Sequence, residues 1–197
     1  MTFHGKIHRY SIAIVFLLSV AITACTSQPG KPSAIRKSES VSVDSGVQRS
    51  FDQALKLLQD QQYDTAIELL NSVIEREKRL TAPYINMAMA YRYKGDDKQA
   101  EKYLLEALNI DRSQPVANNE LGLIYRKQGR FEDAMNAYNN ALAENPDYLP
   151  VIRNLGILCD LYLQDTQCAL EQFEKYQQQA PDDKNIKIWI ADLKARM

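Results

Sequence analysis

LGLIYRKQGRFEDAMNAYNNALAENP, residues 121–146, holds two stretches of helical period separated by a glycine and closed by a proline. Leu121, Ile124 and Tyr125 recur three and four positions apart, as do Ala134, Tyr138 and Ala141, so each stretch presents one apolar face. Gly129 falls where a helix end needs a left-handed residue, and Pro146 stops the second helix. The small residues Gly122, Ala134 and Ala141 stand on the apolar faces, where only small side chains let two helix backbones approach closely. This stretch reads as a helical hairpin.

The hairpin is repeated on both sides. Ala54, Ala88, Gly122 and Gly156 follow one another at steps of 34 residues. Three positions beyond each lie Leu57, Tyr91, Tyr125 and Cys159; twelve beyond come Ala66, Ala100 and Ala134, with Ala169 displaced by one inserted residue. Leu70, Leu104, Tyr138 and Phe173 form the next matching set, then Val73, Ala107, Ala141 and Tyr176. Self-similarity at this period marks a stacked array whose units cannot bury their apolar faces alone.

These residues resemble the tetratricopeptide repeat, with residues 121–146 nearly a consensus unit. The resemblance implies an all-α fold: a right-handed solenoid of four helix-pair repeats over residues 47–183. Gly95 and Gly129 are expected at turns within repeats, and Pro83, Pro115 and Pro150 near helix starts. Residues 184–197 predict one more helix, capped by Asp182 or Asp183, with Ile186, Trp189, Ile190, Leu193 and Met197 on one face. It is expected to cover the open edge of the last repeat, and Trp189 is alternatively a contact for a partner.

Across its 197 residues the chain carries a net charge of −1, which gives no electrostatic reason to expect a nucleic-acid binder. Its two histidines, His4 and His8, both lie in the leader described below. Without them a Ser-His-Asp triad, a Cys-His pair and a His-ligated metal site are excluded. Acidic pairs such as Asp96-Asp97, Glu132-Asp133 and Asp182-Asp183 fall at turns and helix starts, where capping and the helix dipole explain them. No catalytic residue, metal, cofactor or small-molecule substrate is expected.

Residues 1–24 read as a secretion leader. Lys6 and Arg9, with His4 and His8, precede an apolar run from Ser11 to Ile22. A helix of that length rises only ~18 Å, against a hydrocarbon core of ~30 Å. Ile22-Thr23-Ala24-Cys25 resembles the lipobox of bacterial lipoproteins, which implies cleavage before Cys25, lipidation of its thiol, and permanent anchoring through several acyl chains. In enteric-type sorting, Thr26 rather than Asp after the lipidated residue implies the outer membrane. Residues 25–46 are rich in Ser, Pro and Gly and lack apolar periodicity. As a flexible tether this segment has a mean reach of roughly 25 Å.

Two cysteines remain, Cys159 and Cys168, nine positions apart across the fourth hairpin. They are expected either to bridge in an oxidising compartment or to persist as buried thiols.

In tetratricopeptide arrays the first helices of successive repeats line a concave groove. By resemblance its positions are Ile85, Asn86, Met89, Arg92 and Tyr93; Asn119, Glu120, Leu123, Arg126 and Lys127; and Arg153, Asn154, Ile157 and Asp160. Asn side chains can pair with both groups of an extended peptide backbone. Arg92, Arg126, Lys127 and Arg153 bias the groove toward acidic segments or a C-terminal carboxylate. The expected function is a non-enzymatic, protein-binding adaptor on the periplasmic face of the outer membrane, positioning an envelope machine. Small lipoproteins of this kind include the pilotins of type IV pilus secretins. Alternatives are lipoproteins accompanying TonB-type systems, and adaptors for periplasmic proteases or peptidoglycan hydrolases.

Overall fold

A computed structural model describes residues 43–197. The leader, Cys25 and most of the tether lie outside the described residues. Nine helices follow in order: α1 Ser45–Gln59, α2 Tyr63–Arg76, α3 Thr81–Tyr93, α4 Asp97–Ile110, α5 Pro115–Lys127, α6 Phe131–Glu144, α7 Leu149–Leu161, α8 Thr166–Gln179 and α9 Lys184–Arg196. The chain is all-α as expected, with α1–α8 paired into four hairpins and α9 packed on α8. Helix α1 begins two residues ahead of the expected repeat boundary, because the Asp44 carboxylate caps it. That carboxylate accepts from the backbone N–H of Gly46 at 2.9 Å and Val47 at 3.2 Å, and Arg76 at the end of α2 joins it at 2.9 Å.

Within every hairpin a small residue on the first helix faces a large one on the second. Ala54 and Ala88 go with Leu70 and Leu104, whereas Gly122 and Gly156 go with Tyr138 and Phe173. The glycines are needed because a Cβ at 122 would stand 2.3 Å from Cε1 of Tyr138, and one at 156 would stand 2.4 Å from Cε1 of Phe173. Each ring fills the volume its glycine leaves, and both rings are fully buried.

The turns explain the glycine spacing. Gly95 (φ 85°) and Gly129 (φ 76°) close α3 and α5. The N–H of the residue after each donates to a carbonyl five positions back: Asp96 to Tyr91 and Arg130 to Tyr125, both at 2.9 Å. In the first hairpin Gln61 takes that conformation (φ 58°), and in the fourth Gln164 does (φ 55°), although neither is glycine. The fourth hairpin accommodates its inserted residue here, and the structure joins Cys159 to Cys168 across it, with Cα atoms 5.8 Å apart.

Asp183 caps α9, accepting from the N–H of Asn185 at 2.9 Å and Ile186 at 3.3 Å. Ile186, Ile190 and Leu193 are buried, and Trp189 tilts against Phe173 with ring centroids 5.3 Å apart. Met197 departs from the expected apolar face: it is 67% exposed, because α9 ends at Arg196 and its last turn runs past the packed surface. None of the described helices is long and apolar enough to cross a membrane.

Candidate functional site

Helices α1, α3, α5 and α7 touch one another across successive hairpins, whereas α2, α4, α6 and α8 do so only through them. The odd-numbered helices therefore form the inner side of the helical unit, and their shared face is the candidate site. Two depressions lie along it.

The first, of about 440 Å³, is lined by Asn86, Met89 and Tyr93 of α3 together with Leu55, Leu58, Gln59, Gln61 and Tyr63. Asn86 spends its Nδ2 on the Ala82 carbonyl at 2.9 Å, one turn back in its own helix. Tyr93 is 56% exposed and stacks on Tyr63, with ring centroids 5.5 Å apart. The Arg92 guanidinium lies 4.9 Å above the Tyr93 ring. This depression sets Leu55, Leu58 and Met89 beside the amides of Gln59, Gln61 and Asn86 and has an aromatic edge.

The second, of about 370 Å³, is lined by Arg92, Asp97, Leu123, Ile124, Arg126, Lys127 and Tyr162. Arg92 Nε stands 3.0 Å from Glu120 Oε2, an ion pair without hydrogen-bond alignment. Lys127 pairs with Asp97 at the start of α4. Arg126 is held over the Tyr162 ring at 5.6 Å, and Tyr162 in turn tilts against Phe131 at 5.1 Å. Beneath lies the Tyr138 hydroxyl, buried without a partner, and burial pushes its pKa up to about 12.

These pairs correct the sequence reading in three places. Of the four basic groove residues, Arg92 is compensated by Glu120 and Lys127 by Asp97. Asn119 is only 6% exposed: its Oδ1 accepts from Asn154 Nδ2 at 2.9 Å, and its own Nδ2 donates to Glu120 at 3.4 Å. Its amide thus ties α5 to α7. Ile85 is buried among Ala88, Leu104 and Leu121, in the core between the second and third hairpins.

Of the other expected positions, Arg153 lies over the Trp189 ring at 5.6 Å, and Ile157 is half-buried against the last core cluster. Asp160 meets Arg196 of α9 at 2.8 Å. Tyr63, Asp97 and Tyr162 enter the site from turns and second-helix starts, places the groove positions do not include. The residue inserted after Cys159 was the available signal for Tyr162.

Comparison with known proteins adds the following. Tetratricopeptide-repeat profiles match residues 82–114 and 115–148. The chain is 28% identical to the type IV pilus assembly protein PilF of Pseudomonas aeruginosa over 185 residues, covering 92% of this chain and 71% of that protein. A solved structure of that PilF superimposes with a TM-score of 0.69 at 22% identity, covering 76% of this chain and 68% of that one. A probable UDP-N-acetylglucosamine–peptide N-acetylglucosaminyltransferase, SPINDLY of Solanum lycopersicum, is 25% identical over 93 residues. Those residues are 47% of this chain but only 10% of that enzyme.

Proposed function

Because the chain is a tetratricopeptide-repeat protein resembling PilF, we propose that it is a non-catalytic adaptor assisting assembly of an envelope machine such as a type IV pilus secretin. The repeats make it a protein-interaction scaffold of the kind to which PilF belongs. One observation carries the finer reading: an alignment covering 92% of the chain necessarily runs beyond the repeats into residues 1–42. The similarity to PilF thus extends beyond the repeats. That favours the pilus reading over the TonB-associated and hydrolase-adaptor alternatives.

In this proposal Cys25 is lipidated, residues 26–43 form the tether, and the helical unit faces the periplasm from the outer membrane. In that oxidising compartment the Cys159–Cys168 bridge stays closed. The face of the odd-numbered helices receives the partner, with an extended segment lying across the two depressions. Arg92 and Tyr93, adjacent in sequence, border one depression each.

The test is cell fractionation with a Cys25→Ser variant, read together with secretin assembly. Wild-type chain should sediment with outer membrane, whereas the variant, whose leader is not cut, should stay with the inner membrane and leave secretin multimers outside the outer membrane. Unchanged sedimentation of the variant would refute the anchor. Normal secretin assembly in a strain lacking the protein would refute the machine.

A further inference from the structure

The four cations on the face of the odd-numbered helices are not equivalent. Arg92 and Lys127 are neutralised by Glu120 and Asp97. Arg153 is exposed, with its guanidinium over Trp189. Arg126 differs from all three. It lines the second depression and no carboxylate among the described residues pairs with it; its Nη1, like Arg92 Nε and Asp97 Oδ1 of the same depression, is enclosed without a hydrogen-bond partner. The Tyr138 hydroxyl nearby is buried and unpartnered as well. A half-buried guanidinium without a counter-ion carries an uncompensated desolvation cost, which an arriving anion removes.

Resting on the docking face proposed above, we infer that Arg126 is the receiving group of a subsite for one carboxylate side chain of an extended protein segment. The walls decide its company. Leu123 and the Tyr162 ring are apolar and border the depression, so the acid comes beside a hydrophobic residue. Arg92 and Lys127 are already taken by Glu120 and Asp97, so among the cations lining the depression Arg126 is the one left for an acid. The subsite thus selects a single Asp or Glu in an apolar context.

The full-length protein in detergent micelles is used to select a phage-displayed library of random decamers. Binders that are lost with Leu123→Arg are kept and measured by fluorescence anisotropy. A charge-assisted contact at a desolvated guanidinium is worth about tenfold or more in affinity. The selected peptides should carry one Asp or Glu beside Leu, Ile, Met or Phe, and changing that acid to its amide should weaken binding at least tenfold. With Arg126→Met the acid and amide peptides should bind alike, while Lys98→Met, at an exposed cation of α4 away from the docking face, keeps the preference. The acid-to-amide comparison needs no change in the protein, so it reads the subsite even if Arg126→Met perturbs the fold. Binders without an acid, binders with acidic runs, or a preference surviving Arg126→Met would overturn the subsite while leaving the docking face standing. A library yielding no Leu123-dependent binder would overturn both.

Discussion

Gly122 and Tyr138 form the most demanding contact in the helical unit, and exchanging them tests how the array is packed. In Gly122→Ala the new Cβ meets Cε1, Cδ1 and Cζ of Tyr138 at 2.3, 2.6 and 2.7 Å, where carbon atoms settle at about 3.5–4.0 Å. The ring is fully buried and cannot retreat by an ångström without displacing its own neighbours. Overpacking of this kind costs about 1–3 kcal/mol. Alanine recovers about 1 kcal/mol of helix propensity over glycine. The net expectation is a loss of about 0–2 kcal/mol, or a melting temperature lower by up to roughly 8 °C.

Tyr138→Leu alone leaves a void beside Gly122 and costs a further ~1–2 kcal/mol. The double variant recreates the Ala–Leu pairing that the first two hairpins use, Ala54 with Leu70 and Ala88 with Leu104. It should therefore sit within about 1 kcal/mol of wild type, a coupling of about 2 kcal/mol. Urea denaturation followed by circular dichroism of all four proteins measures it. Additive effects, or a Gly122→Ala variant more stable than wild type, would refute the reasoning.

Three further outcomes follow from other positions. Gln61 holds φ 58° where the second and third hairpins use glycine, so Gln61→Gly should raise stability by about 0.5–1 kcal/mol, visible as a higher denaturation midpoint. Replacing both Cys159 and Cys168 by serine opens a loop of about ten residues and should lower stability by about 2–3 kcal/mol in the loop-entropy picture; a wild-type midpoint unaffected by reductant would contradict it. The Tyr138 hydroxyl keeps its proton longer in the folded chain than in the unfolded one, since burial raises its pKa from 10.0 to about 12. Its contribution is therefore intact below pH 10 and is lost as pH rises from 10 toward 12. Tyr138→Phe, which installs the ring found at Phe173, should be neutral to stabilising at pH 7 and should flatten part of the alkaline fall in melting temperature.

The repeat register was legible because close backbone approach admits only small side chains at fixed intervals, and four copies of Ala or Gly show it directly. A cap at Asp182 or Asp183 and turns at Gly95 and Gly129 were legible for the same local reason. The pairing of ring with glycine, Tyr138 with Gly122, also stands in the sequence once the hairpin is known. What did not show was the charge pattern of the docking face. Whether Arg92 meets Glu120, or Lys127 meets Asp97, depends on how neighbouring hairpins are rotated against each other, and residues 28 and 30 positions apart carry no local signal of that. Tyr162 escaped for a related reason: the inserted residue breaks the 34-residue register just where it enters the site. Asn119 reads as an available amide by position, but its neighbours Asn154 and Glu120 already engage it.

The central claim is that the face of the odd-numbered helices holds a specific protein partner. A photo-crosslinking amino acid at Leu123, half-buried in the second depression, tests it most directly in living cells. The account predicts one dominant envelope protein crosslinked from Leu123 and from Met89, and none from exposed positions of α6 such as Asn139. Equal capture from Asn139, or no capture from Leu123 by a protein that is folded and abundant, would contradict it.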